Sequence, residues 1–341
     1  MTEAVPDKDA LQPELGFVQK LGMYFALPVW MLGLVVGALW LPVTVVCLFI
    51  FPKLATLSLG LLLVALLTPL SLPCPKPLAR FLAYCTTAAA EYYPVRFIYE
   101  DKEEMEATKG PVIIGYEPHS VMPQAISMFA EYPHPEVVAP LRKARVLASS
   151  TGFWTPGMRH LWWWLGTRPV SKPSFLSQLR KQRSVALCPG GVQECLYMAH
   201  GKEVVYLRKR FGFVKYEVFR LAIQTGTPLV PVFAFGQTET YTFVRPFIDW
   251  ESRLLPRSKY FSLVRRMGYV PMIFFGHLGT AMPKRVPIHI VIGRPIEVPQ
   301  QDEPDPATVQ EYLNKFIDAM QAMFEKHKAD AGYPNLTLEI H

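Results

Sequence analysis

Three short stretches combine residue types that do chemistry with positions that could present them. In YEPHSVMP, Tyr116 to Pro123, a histidine follows a Glu-Pro pair just after the apolar run GPVIIG. An imidazole held at a strand end suits proton transfer at neutral pH, because its ordinary pKa is about 6.5. Pro118 biases Glu117 toward extended backbone and so helps set where His119 points. As a metal ligand His119 would need companions, and neither HExxH nor HxH occurs in the chain. A loop histidine with no chemical role is the other reading. In CPGGVQE, Cys188 to Glu194, Gly190 and Gly191 let the backbone turn sharply and approach a ligand. A helix opening after them would aim free N–H groups at an anion or oxyanion. Glu194 is then an acid in an apolar stretch, or simply a solvated turn residue. In YLRKRFGFVK, Tyr206 to Lys215, the cations Arg208, Lys209, Arg210 and Lys215 interleave with aromatics. That pattern serves phosphates or lipid headgroups, and it serves a solvated loop equally well. GxSxG, a strand-following GxGxxG and a Walker A loop are all missing, so a hydrolase serine and nucleotide cradles have no support.

Such loops collect beyond the carboxyl ends of strands in α/β sheets, so strands should precede them. GPVIIGY (110–116), SVALCPGG (184–191), TPLVPVFAFG (227–236) and VPIHIVIGRPI (286–296) read as four strands. Their nearly continuous apolar character predicts a sheet covered on both faces. Helical segments lie between them, such as Tyr216 to Thr225 closed by Gly226. A last helix should start at an Asp305 cap with Pro306 at its first position and bury a stripe from Val309 to Phe324. The expectation is an α/β domain.

The first quarter of the chain is different. Half of all residues are hydrophobic and only 18% are charged, against about 25% in typical soluble domains. No charge occurs from Leu21 to Pro52 or from Leu54 to Pro75. Each run exceeds the roughly 20 apolar residues that cross a bilayer. They predict a transmembrane or re-entrant helical hairpin turning at FPK, residues 51–53, rather than a pair of buried core helices. Lys76 to Tyr93 is amphipathic and is expected at the membrane surface. The predicted organisation is a cytosolic segment 1–20, a hairpin 21–75 and a catalytic-sized domain 76–341. Residues 1–20 carry four acids and two lysines and the hairpin one lysine, which leaves +8 on residues 76–341 within a total of +7. A basic domain beside a bilayer suits anionic headgroups or a polyphosphate ligand. No nucleic-acid motif accompanies it. Five cysteines with no CxxC or CxxH spacing fit a reducing compartment.

Together these stretches resemble the type-2 diacylglycerol acyltransferase family, in its green-lineage form. EPHS is similar to that family's His-Pro-His-Gly block, and PGGVQE to its Pro-Gly-Gly-x-x-Glu block. GTRPVSKPS, Gly166 to Ser174, resembles its Gly…Val-Ser-Lys block, and RFGF with AIQTGTPLVPVFAFGQ resembles a long signature further on. Four blocks stand in family order over most of the chain. The resemblance implies an acyltransferase-like mixed sheet flanked by helices, a fatty acyl-CoA co-substrate, a diacylglycerol acceptor and triacylglycerol as product. It also implies residence in the endoplasmic reticulum membrane, a cytosol-facing domain and association with lipid droplets. No metal and no further cofactor is implied, and a homo-oligomer stays open. Under it His119 is the general base, with Glu194 preferred over Glu117 as the carboxylate that orients its ring. Gly190 and Gly191, with Ser120 beside them, supply oxyanion contacts, and Lys172, Arg208 and Arg210 hold the CoA phosphates. Two departures stand out: the spacer after RFGF is long, and Gln124 occupies the place where related acyltransferases have the acid of a His-x-x-x-x-Asp motif. A wax-ester or monoacylglycerol acyltransferase, and a non-catalytic lipid-organising hairpin protein, are the alternatives.

Overall fold

The computed structural model describes residues 16–156, 158–208, 213–249 and 257–341. Helices α1 (Phe17–Cys47), α2 (Pro52–Leu67) and α3 (Lys76–Tyr92) lead into strand β1 (Val95–Tyr99). Then come α4 (Lys102–Ala107), β2 (Ile113–Glu117), β3 (Arg145–Ala148), α5 (Arg159–Trp164), β4 (Thr167–Pro169), α6 (Lys172–Arg180) and β5 (Val185–Leu187). The chain continues through α7 (Val192–Tyr197), β6 (Glu203–Val205), α8 (Phe213–Thr225), β7 (Leu229–Phe235), β8 (Thr242–Val244) and α9 (Pro246–Asp249). It closes with α10 (Arg257–Met267), β9 (Ile273–Phe275), β10 (Ile288–Ile292), α11 (Pro306–His327) and β11 (Leu338–Ile340).

Seven strands form the main sheet in the order β1-β10-β7-β2-β5-β3-β4. The five from β7 to β4 run parallel, and β10 turns antiparallel to β7, so the sheet is mixed. All four strands expected from the sequence are present as β2, β5, β7 and β10, and every residue in them is buried. That is the double-sided cover their unbroken apolar runs implied. β1, β3 and β4 are short edge-side strands that each carry an arginine, which hides their periodicity. One face packs under α3 around Tyr116, Phe129 and Ile290, and the other under α8 and α11 around Phe219, Phe233 and Phe316.

Local signals set the helix ends. Asp305 Oδ1 accepts from the main-chain N–H of Ala307 (2.8 Å) and Thr308 (3.0 Å), capping α11 as expected. Its stripe Val309, Leu313, Phe316, Ile317, Met320, Met323 and Phe324 is buried.

The hairpin forms, with unequal arms. Leu21–Cys47 is long and apolar enough to cross a membrane, and only 17% of its most apolar window is buried, so it is not a core helix. That apolar helix points to membrane association. The second run gives a helix of just 16 residues, about 24 Å at 1.5 Å per residue, short of the ~30 Å hydrocarbon thickness. Thr68 precedes Pro69 and is extended, which ends the helix early. Ser58 clasps the two arms, bonded to Trp40 Nε1 (2.8 Å) and Thr44 Oγ1 (2.7 Å). α3 buries Leu82, Cys85 and Ala88. The foot of α1 (Met23, Leu27) joins the core beneath α3, so the hairpin is packed onto the sheet domain.

Candidate active site

The carboxyl ends of the adjacent parallel strands β2 and β5 deliver the two most informative stretches to one place. Glu117 ends β2, and the segment after β5 turns at Gly190 and Gly191 into α7. Gly191 has φ +52°, a left-handed value that glycine adopts without strain. α7 then carries Glu194 and Cys195 back toward His119.

Glu194, expected from the sequence to orient the imidazole, meets main chain instead. Its Oε2 accepts from the main-chain N–H of His119 (3.0 Å) and its Oε1 from the main-chain N–H of Tyr206 (3.1 Å). The carboxylate therefore clamps two backbone segments. The ring finds other neighbours. His119 Nδ1 lies 2.9 Å from the Ser120 carbonyl and 3.3 Å from Cys195 Sγ. Donation from Nδ1–H to that carbonyl leaves the Nε2 lone pair to act as a base, which is the service an Asp performs in His-x-x-x-x-Asp sites. Nε2 has no hydrogen-bond partner among the described residues, and His119 is half-buried. Gln124 turns instead toward Tyr93 and Tyr241.

Glu117 and Glu194 are both fully buried, and their carboxyl groups interact directly. Burial, then the negative charge of Glu194, pushes the Glu117 carboxyl well above its usual range. Burial raises Glu194 as well, but Glu117, the main-chain N–H groups of His119 and Tyr206 and the nearby His119 oppose it, so Glu117 is the member of the pair pushed further toward the neutral form. Glu117 Oε1 also takes the Gly190 N–H at 3.4 Å, so that N–H is not a free oxyanion donor. The Gly191 N–H has no such partner among the described residues. Gly190 is needed for space, because a Cβ there would fall on the Glu194 carboxylate.

A third carboxyl, Glu203 on β6, is buried and accepts from Thr238 Oγ1 (2.8 Å); burial pushes it up to about 8. For His119, burial works against the charged ring, but Cys195, the Ser120 carbonyl and Glu194 outweigh it and raise the pKa to about 9. The carbonyl favours the protonated Nδ1.

Three contributors escaped the sequence reading. Cys195 sits one residue past the glutamate already singled out, and its Sγ reaches the Ser120 carbonyl (3.4 Å) as well as the ring. Gln237, fully buried after β7, donates to the Pro118 carbonyl (2.5 Å) and accepts from Tyr116 Oη and the Ala125 N–H (3.3 Å). It braces the histidine loop from behind, and its place just beyond a strand's carboxyl end was the available signal. Tyr206 is the third, through its N–H. Ser120 contributes its carbonyl, while its buried Oγ reaches only the Gln237 carbonyl at 3.5 Å. Arg208 is exposed two residues past Tyr206, its N–H bonded to the His341 carbonyl (2.5 Å). Lys172 is exposed at the start of α6, beyond β4 and two strands from β5. Arg210 lies outside the described residues. In the C-terminal tail, Leu338–Ile340 pairs as β11 with β6 in parallel.

A mixed α/β sheet with a histidine and two buried carboxyls at its strand ends, carried on an apolar hairpin, defines the class: a membrane-associated α/β protein. The diacylglycerol acyltransferase family model matches residues 57–341. The chain is 32% identical to diacylglycerol O-acyltransferase 1 of Schizosaccharomyces pombe, covering 73% of this chain and 71% of that one. It is 30% identical to human 2-acylglycerol O-acyltransferase 3 over 72% of each. It is 36% identical to mouse diacylglycerol O-acyltransferase 2-like protein 6 over 53% of this chain, which spans about half (54%) of that relative. Among solved structures, the lysophosphatidate acyltransferase PlsC of Thermotoga maritima aligns over 91% of this chain and 95% of its own, with TM-score 0.42 and 13% identity. The chain belongs to the diacylglycerol acyltransferase family.

Proposed function

We propose that this protein transfers a fatty acyl group from acyl-CoA to the free hydroxyl of diacylglycerol, making triacylglycerol, with His119 as general base. The observation that carries the reading is the ring itself: Nδ1 is 2.9 Å from a carbonyl, Nε2 is unengaged, and the loop is clamped by Glu194. As the acceptor oxygen attacks the thioester carbonyl, Nε2 takes its proton. The new C–O bond forms, the C–S bond breaks, and the CoA thiolate leaves with that proton. A positioned base of this kind contributes about 10²–10⁴-fold. The Gly191 N–H is the donor assigned to the tetrahedral oxyanion. Arg208 and Arg210, with Lys172 farther out, are assigned to the CoA phosphates. Acyl-CoA is water-soluble and diacylglycerol is not, so the reaction belongs at a bilayer surface. The hairpin supports placement at a membrane; the endoplasmic reticulum as that membrane, a cytosol-facing domain and access to lipid droplets are the parts of the proposal that rest on the family resemblance.

The similarity to a 2-acylglycerol acyltransferase, and to acyl-CoA wax alcohol acyltransferase 2 at 29% identity, supports a second reading with another acceptor at the same site. Wild type and His119→Ala, expressed in a yeast without neutral-lipid synthesis, separate these. Triacylglycerol from wild type alone is the expected result. Wax esters alone would move the acceptor, and equal neutral lipid from both proteins would remove His119 from the chemistry.

A further inference from the structure

A second site lies at the opposite end of the sheet. Lys181 and Arg183 precede β5, and Trp163 precedes β4, whereas His119 and Gly190 follow the carboxyl ends of their strands. Between α5, β4 and α6 is a cavity of about 380 Å³ lined by Arg168, Lys181, Arg183, Ser174, Ser177 and Gln178, with Trp163 at its wall. None of these is an acid. Among the described residues none of its three cations has an ion-pair partner, and the nearby Glu131 is taken by Arg145.

The cations are set in place. The Arg168 guanidinium lies 3.6 Å from the centre of the Trp163 ring, and its Nη1 donates to the carbonyls of Thr167 (2.7 Å) and Trp163 (2.9 Å). The Gln178 carbonyl accepts from the N–H of both Lys181 (3.0 Å) and Arg183 (3.1 Å), which fixes those residues on one turn. Gln178 is only 6% exposed, yet its side-chain oxygen has no partner among the described residues. Burial, then the positive charge of Arg145, depresses Arg168 to about 10; Glu131 opposes the fall and Arg183 adds to it. The excess positive charge attracts an anion, the unpaired buried amide is costly, and an anion that also brings a hydroxyl would satisfy both.

The location narrows the source. Trp164 Nε1 donates to the Leu72 carbonyl (2.9 Å), and Arg159 donates to the Leu66 and Ala65 carbonyls at the end of α2. The wall of the cavity is therefore stapled to the foot of the hairpin, and tryptophans at that level are typical of the headgroup layer. We propose that Arg168, Lys181 and Arg183, with Ser174, Ser177 and Gln178, form a phosphate-ester site distinct from the His119 site. The headgroup of an anionic phospholipid is its source at the bilayer surface, and the 3′-phosphate of CoA offers the same chemistry.

The test uses the purified full chain in neutral detergent, read by thermal-unfolding midpoint and by binding of dioctanoyl phosphatidic acid, CoA and, as control, dioctanoyl phosphatidylcholine. Lys181→Ala/Arg183→Ala removes two exposed cations, and Ser177→Asp places a negative charge in the cavity. Phosphatidic acid should raise the wild-type midpoint and phosphatidylcholine should not. Its affinity should drop about 25-fold in the double variant, at about fivefold per cation, and binding should vanish with Ser177→Asp. Transferase activity without added anion should be unchanged in the double variant. If CoA instead shows the variant-sensitive shift, the nucleotide phosphate is the ligand. If neither probe shifts the wild type, or the shift survives the double variant, the site is refuted. His119→Ala should keep the anion response, so failure of the proposed function would leave this result standing.

Discussion

Replacing Gly190 by alanine tests the clamp on the histidine loop most directly. The added Cβ would fall on Glu194 Oε1, with Cδ 2.5 Å and Cγ 2.8 Å away, closer than real Cβ atoms come to anything. Glu194 must therefore withdraw, and it cannot do so while holding the N–H groups of His119 (3.0 Å) and Tyr206 (3.1 Å). Hydrogen bonds to a charged group are worth about 1.5–3 kcal/mol each, so losing both costs about 3–6 kcal/mol. In a domain of this size each kcal/mol lowers the unfolding midpoint by about 2–4 °C, which puts the expected fall at about 6–24 °C. Turnover should fall further than stability explains, because the loop that aims Nε2 loses its anchor. The assays are acyl transfer from labelled acyl-CoA in mixed micelles and thermal unfolding of the same preparation. Gly60→Ala, where a Cβ meets nothing within 4 Å, is the control. A Gly190→Ala protein with turnover within about twofold of wild type and an unchanged midpoint would refute the clamp, since the effect rests on those two bonds.

Three further outcomes follow from the site. With His119 raised to about 9, only about one ring in a hundred is neutral at pH 7. Turnover should therefore climb toward a plateau above pH 9. Cys195→Ala, which removes the sulfur that contributes to the rise, should move the midpoint of that profile to lower pH; an unmoved midpoint would discard the contact. The same raised pKa stabilises the fold fully below the unfolded value of about 6.5, and that contribution is lost as pH rises through about 9. Glu203 behaves as a raised carboxyl: the unfolded chain ionises it first, so its burial erodes stability as pH rises from about 4.5 to about 8. Glu203→Gln should flatten that decline in a pH series of unfolding midpoints. Gln237→Ala leaves the Pro118 carbonyl and the Ala125 N–H without their partner, and should cost about 1–3 kcal/mol per unsatisfied group. Turnover should fall in parallel, and wild-type kinetics would show that the histidine loop holds itself.

Much of the framework was legible because it is encoded locally. Uncharged length announces an apolar hairpin whatever lies around it. Unbroken apolar runs announced the buried strands β2, β5, β7 and β10, and an Asp-Pro start with a helical stripe announced α11. The edge-side strands β1, β3 and β4 were not legible, since three to five residues with an arginine leave no period to read. The second hairpin arm looked long enough to span until Thr68-Pro69 ended it at 16 residues.

At the site the division is sharper. Residue types and strand-end positions nominated His119, Glu194, Gly190 and Gly191, because those depend only on where strands stop and glycines begin. Which atom meets which was settled by the register of β2 beside β5 and by the orientation of α7. One turn of that helix sends Glu194 to the main chain of His119 and Tyr206, and Cys195 to the ring. Glu117, two residues from His119 in sequence, ends up paired with Glu194, which lies on a separate strand-end segment. Side-chain direction over a few ångströms is a property of packing between distant segments, so it belongs to the tertiary structure alone.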